Sequence, residues 1–267
     1  MHLECLLGAG LEQCPTCQQP YRGECELGLA RQQWARVRDD RPDHEEEWLA
    51  GAERLARALN TALGDYAAAL PLLEDVLAAR RRTLGAEAEA TLQSLHDCAQ
   101  QHLDLQSFAA GLPLAEEALR LRRQTLGYSH PRALDSLALL SQLHAESGDL
   151  EAALPLAQEA LTGRRQRLGQ GHMDTVISMA DLCTLHYRLG DRTAAAPLFR
   201  EGVEKGLKIF RKTTGSRASK SRPRAENLLG KDGKVDAEVA ALGAALGAVG
   251  DPARRRRRGA MPNVHLA

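Results

Sequence analysis

Residues able to ligate a metal gather at the start of the chain, as His2-x-x-Cys5 and Cys14-Pro-Thr-Cys17. A two-residue spacer lets one turn offer two ligands to the same ion, and zinc takes four Cys or His ligands in a tetrahedron. His2, Cys5, Cys14 and Cys17 are therefore the candidate metal ligands, with zinc the implied cofactor. Cys25 comes next, at a spacing that fits no ligand pattern. Six cysteines in 267 residues are too few for a disulfide-built domain, and crowding four of them into the first 25 points to metal rather than to crosslinks.

The order H-x2-C-x8-C-x2-C, with Pro15 in the knuckle and Gln-Gln-Pro-Tyr after it, resembles the C-terminal half of a RING or RING-CH finger. The resemblance implies two zincs in a cross-braced pattern. The His2/Cys5 and Cys14/Cys17 pairs would then serve different ions, with four further ligands earlier in the chain. Three readings stay open: a finger whose first half precedes Met1, a degenerate finger without metal, and one improvised site on all four residues. Ubiquitin-ligase activity belongs to a longer form only.

Elsewhere the residue types are ordinary. His102, His144 and His186 sit at equal spacing, but if each occupies the same place on successive helical units they lie at least about 8–10 Å apart. Two ligands of one ion lie within about 4 Å of each other, so the three are read as partly buried rings. Cys98 and Cys183 fall on apolar faces and read as small core residues. No nucleophile–base pairing, Gly-rich phosphate loop or paired carboxylate pattern stands out, so no residue is assigned to catalysis.

The elements that carry these residues keep a 42-residue step. Pro71, Pro113, Pro155 and Pro197 show it, as do Leu84-Gly85, Leu126-Gly127 and Leu168-Gly169. So do the pairs Arg80-Arg81, Arg122-Arg123 and Arg164-Arg165. A fixed period of this size means stacked repeats. Within one unit Leu134, Leu137, Leu140 and Leu143 recur at three-residue steps, Gly148-Asp149 interrupts, and a second apolar series comes after. That predicts two amphipathic helices joined by a short turn. First helices are expected near 45–62, 87–104, 129–146 and 171–188, and second helices near 66–83, 108–125, 150–167 and 192–210. Gly64-Asp65, Gly148-Asp149 and Gly190-Asp191 supply a C-cap and then an N-cap. The recurrent Pro lies early in the second helix, the Arg pair complements its dipole, and Leu-Gly ends it.

Composition agrees with an all-α body. Apolar residues make up 43% of the chain and aromatics only 3%, so the core is built from Ala and Leu. Residues 1–204 hold 20 Lys/Arg against 30 Asp/Glu, whereas 205–267 hold 15 against 5. A basic tail on an acidic body has nucleic acid or an acidic partner as candidate ligands. The run Arg254–Arg258 is a candidate nuclear-localisation or phosphate-binding element. No secretory leader or membrane span is visible, so a cytoplasmic or nuclear protein is expected.

The stretch LRRQTLGYSHPRALDSLALLSQLHAESGDLEAALPLAQEAL, residues 121–161, resembles the tetratricopeptide repeats of kinesin light chains. The resemblance implies a right-handed superhelix of antiparallel helix pairs whose concave face, lined by the first helices, receives peptide. His96, Gln100, Asp135, Gln142 and Thr184 are the candidate groove positions. At the places where the family often sets Asn pairs this chain has His96-Asp97, Ala138-Leu139 and Ala180-Asp181. Arg80, Arg81, Arg122, Arg123, Arg164 and Arg165 are a candidate basic edge, or else pair internally with carboxylates such as Glu116, Glu117 and Glu159. The expected organisation is a RING-like remnant at 1–25, a capping helix and loop at 26–44, the array at 45–210, and a basic, mostly disordered tail at 211–267. Within that tail 235–249 is a possible short helix. The expected function is a protein-interaction scaffold, not an enzyme.

Overall fold

A computed structural model describes residues 23–38 and 45–214. His2, Cys5, Cys14, Cys17, the stretch 235–249 and Arg254–Arg258 lie outside the described residues. Those that are described hold nine α-helices and no strand. They are α1 (Glu24–Val37), α2 (Glu45–Ala58), α3 (Tyr66–Thr83), α4 (Glu89–Asp104), α5 (Phe108–Leu126), α6 (Pro131–Ser147), α7 (Leu150–Leu168), α8 (Met173–Arg188) and α9 (Arg192–Thr214). The fold is all-α, in antiparallel helix pairs.

The chain divides into two compact units, Met1–Leu105 and Gln106–Ala267. In the first, α1 packs on α2, α2 on α3 and α3 on α4. Trp34 of α1 meets Trp48 of α2 with ring centroids 5.4 Å apart, and Gly51 lets α1 come close, since a Cβ there would lie 3.0 Å from Val37 Cγ2. α2 runs on into a π-helical turn, Leu59–Leu63, that the periodicity did not predict. Here Asn60 and Gln101 exchange amide hydrogen bonds of 2.9 and 3.0 Å, and Gln101 also donates to the Tyr66 carbonyl at 2.8 Å.

In the second unit α5 to α9 pack each on the next. The core is small-residue throughout: Ala115, Ala118 and Ala153 are fully buried beside Leu137, Leu143 and Met179. Alanine at such positions lets helix axes approach closely, which is how a chain with few aromatics fills its interior.

The turns within pairs repeat one device. Gly64, Gly148 and Gly190 adopt left-handed φ, and Asp65, Asp149 and Asp191 then accept from the backbone N–H three residues on at 3.0, 3.0 and 3.1 Å. That Ala194 N–H bond, helped by the Thr193 hydroxyl and by His186, holds the Asp191 carboxyl below its ordinary value. Its contribution is therefore fully present above the ordinary carboxylate range and is lost as pH falls through the lowered value. Between pairs, the rings of His130 and His172 cap α6 and α8 through Nδ1. The recurrent prolines have like surroundings, each exposed and five residues beyond its helix's first residue.

One turn departs from the pattern. Where the others have Gly-Asp, this one has Gln106-Ser107, with Gln106 at φ 59° and no side-chain cap from Ser107. A left-handed residue with a Cβ carries about 1–2 kcal/mol of strain. Gln106→Gly is expected to raise unfolding free energy by about 1 kcal/mol in urea titrations followed by circular dichroism, the glycine's extra chain entropy offsetting part of the relief.

Candidate functional site

The first helices α4, α6 and α8 are buried over most of their circumference. On α6, Ala133, Leu134, Ser136, Leu137, Leu139, Leu140, Ser141, Leu143 and Ala145 are all buried. What is left to solvent along its middle is a stripe of Asp135, Ala138 and Gln142, at steps of three and four residues. α8 leaves a matching stripe of Ile177, Ala180, Asp181 and Thr184. The two stripes adjoin, because Gln142 Nε2 donates to Asp181 Oδ2 at 3.3 Å across the helices. Thr184 spends its hydroxyl proton on the Ala180 carbonyl at 2.9 Å, which leaves the oxygen free to accept. The structure thus brings Asp135, Gln142 and Thr184 onto one surface of the second unit.

In the first unit α4 presents Gln93, His96, Asp97, Gln100 and Asp104 as its half-buried stripe. Gln93 donates to Asp97 at 2.8 Å and Gln100 to Asp104 at 3.3 Å, so both amides are braced one turn along. Of the paired positions, His96-Asp97 and Ala180-Asp181 are half-buried, whereas Leu139 turns inward and is 3% exposed. Asp181 is a surface residue that sequence reasoning did not select for the groove, although it directly succeeds Ala180 at one of the paired positions.

The arginine pairs divide. Arg80, Arg122 and Arg164 each donate through Nη1 to a serine hydroxyl fourteen residues on, Ser94, Ser136 and Ser178, at 2.7, 2.8 and 2.7 Å. The same nitrogens donate to the carbonyls of Ala90, Arg132 and Asp174. Each clamp ties a second helix to the first helix of the next pair. Arg164 also meets Asp135 at 2.6 Å, which anchors one carboxylate of the α6 stripe. Arg123 and Arg165 pair instead with Glu159 and Glu201, thirty-six residues on, at 2.6 and 2.7 Å. Arg81 is exposed. Four of the six side chains proposed for a basic edge therefore point into contacts between helices of the second unit, and Arg80 does the same in the first.

His144 and His186 face the caps of the next helices, Nδ1 lying 3.6 and 3.5 Å from Asp149 and Asp191. His102 stands 3.9 Å from Glu74. Among the described residues no three His, Cys, Asp or Glu side chains are grouped to hold a metal ion. Burial pushes the Cys98 thiol up to about 12 and the Cys183 thiol up to about 11, so neither is a nucleophile near neutral pH. Nor, among the described residues, is any helix long and apolar enough to cross a membrane.

With this geometry in place, comparison with protein families matches residues 48–87 and 99–166 to the tetratricopeptide repeat. Among solved structures, the chain is similar to nearly identical tetratricopeptide-like repeats of a Podosopora anserina protein termed a kinesin light chain. A single-substitution form of those repeats aligns with a TM-score of 0.60 at 25% identity, covering 69% of this chain and 87% of that one. A second structure of them aligns at 0.58, again at 25% identity and the same coverage. BtubC (BKLC) from P. vanneervenii shares the fold at 18% identity and a TM-score of 0.54, over 75% of this chain and 83% of that one. A search of curated proteins finds no match.

Proposed function

We propose that the chain is a binding scaffold, which receives an extended peptide or a partner protein on the solvent-facing stripes of its first helices and does no chemistry on it. Tetratricopeptide repeats generally mediate protein–protein interaction. The observation that carries the reading here is the Gln142–Asp181 bridge, which joins two stripes of otherwise buried helices into one surface. On that surface an amide, a carboxylate and a hydroxyl oxygen stand among Ala138, Ala180 and Ile177, a mixture suited to the polar backbone and small side chains of a peptide. His96 and Gln100 offer the like on α4. The ordered bracing of the amides reduces the rotamer entropy that a ligand would otherwise have to take up.

The experiment is selection of peptides from a displayed random library on the full chain, followed by affinity measurements on the pair Gln142→Lys/Thr184→Lys. Both positions are half-buried surface sites, so the fold is expected to survive the change. Binding of the selected peptides should weaken at least tenfold, about 1.4 kcal/mol. Peptides that bind this variant unchanged but are lost on Glu116→Lys/Glu151→Lys, on the second helices, would put the ligand elsewhere and reject the reading.

A further inference from the structure

The π-helical turn Leu59–Leu63 holds one residue more than an α-helical path would. After it the 42-residue step is kept, with buried Val76 and Leu77 of α3 matching buried Ala118 and Leu119 of α5. Before it the step is 43: buried Trp48, Ala52, Leu55 and Ala58 match buried Thr91, Leu95, Cys98 and Gln101. The half-buried stripe of α4, Gln93, His96, Asp97 and Gln100, therefore has as its counterpart on α2 the residues Ala50, Glu53, Arg54 and Arg57. An unshifted period would align Gln100 with Ala58, which is fully buried. The extra residue thus sets two arginines on the surface stripe of α2. Hydrogen bonds between Asn60 and Gln101 join the ends of α2 and α4 and bring the two stripes alongside.

Arg54 donates to Gln33 Oε1 of α1, and Arg36 stands one turn further along α1. Arg57 stands one turn beyond Arg54, so three exposed guanidinium groups gather around a single amide. Other arginines of this unit are neutralised, Arg80 by Glu53 and Arg82 by Glu45. Among the described residues Arg36, Arg54 and Arg57 have no carboxylate partner. Glu46 and Glu47 lie two turns before Arg54, in the first turn of α2. Like charges one turn apart repel, and an anion seated between them removes that repulsion.

We infer that Arg36, Arg54 and Arg57 form an anion site on the ligand-bearing surface of the first unit, which takes the phosphate of a phosphorylated serine or threonine in the bound peptide. The inference rests on the scaffold reading above and names the chemistry of its ligand. A phosphate offers three acceptor oxygens to three forked donors, whereas one carboxylate is satisfied by a single arginine. A nucleic-acid backbone fits less well. The stripe on α4 continues through Asp97 and Asp104, and α4 contains no Lys or Arg, so a continuous polyanion would run into like charge. A peptide meets that charge with neutral or basic residues beside its phosphate.

Short random peptides with a fixed central serine, glutamate or phosphoserine, arrayed and probed with the full chain, test this. The expected result is binding at least about tenfold tighter to phosphoserine peptides than to the same sequences with serine or glutamate. Arg54→Gln/Arg57→Gln should abolish that preference and Arg36→Gln should reduce it, with circular dichroism unchanged, since all three positions are exposed. Arg120→Gln/Arg167→Gln, on second helices, should keep it. Equal binding of serine and phosphoserine peptides would overturn the inference and leave the scaffold reading standing, whereas the absence of any bound peptide would remove both. Preference that survives Arg54→Gln/Arg57→Gln would overturn it by placing the anion elsewhere. So would a single-stranded oligonucleotide that binds more tightly than any phosphopeptide and is released by the same variant.

Discussion

Replacing Arg122 by Ala is expected to lower the unfolding free energy by about 3 kcal/mol, whereas the same change at Arg123 costs less than about 1. The two are neighbours in sequence and opposite in circumstance. Arg122 is 1% exposed and gives one guanidinium nitrogen to the Ser136 hydroxyl at 2.8 Å and to the Arg132 carbonyl at 3.0 Å. Charge-assisted bonds of this kind contribute about 1.5–3 kcal/mol each, and truncation leaves both acceptors buried beside a void. Arg123 pairs with Glu159, whose side chain is 49% exposed, so water competes for that carboxylate. Arg122→Met separates shape from charge: it refills most of the void and removes the cost of burying a cation, so about half the loss should return. Urea unfolding followed by far-ultraviolet circular dichroism measures all three. Equal effects at Arg122 and Arg123 would mean that the clamp contributes nothing beyond the surface pair.

That clamp also marks how far the fold could be read in advance. The helix pairs, their turns and their end signals were legible because each is a local property: apolar periodicity, a Gly-Asp turn, a Leu-Gly stop. The Arg pairs were legible as a repeat but not in their division of labour, since cations at a helix end satisfy the dipole whichever way they point. The missing signal was present at the same step, in Ser94, Ser136 and Ser178, and it pairs with the arginines only across the boundary between one repeat and the next. Other features had no repeating signal. Gln101 stands where the other first helices have Leu143 and Leu185, and its bond to Asn60 depends on the π-helical turn that opens the end of α2. The Gln142–Asp181 bridge requires the distance between α6 and α8, which no single helix encodes.

Leu134→Ala should cost about 3 kcal/mol, and it should reverse the sign of a second substitution. Leu134 is 2% exposed and lies over Gly163, where an added Cβ would stand 2.5 Å from Leu134 Cδ2 and 3.1 Å from Cδ1. The period does not foretell this contact, because the equivalent places hold Ala79, Leu121 and Lys205. In the wild-type background Gly163→Ala gains about 1 kcal/mol of helix propensity, but the buried Leu134 side chain must turn aside within a packed interior, at a cost of about 1–3 kcal/mol. The net expectation is destabilisation by about 1 kcal/mol. Once Leu134 is Ala the obstruction is gone and the new methyl occupies part of the space it left, so Gly163→Ala should stabilise by about 1 kcal/mol instead. A coupling of about 2 kcal/mol from the four unfolding curves is the expected result, and additivity within about 0.5 would show that α6 and α7 adjust freely. The spacing of those helices also shapes the surface proposed to receive a ligand. Asp135 comes directly after Leu134 and is held by Arg164, which comes directly after Gly163, so the contact that sets the distance between the helices also sets where the α6 stripe meets its anchoring arginine.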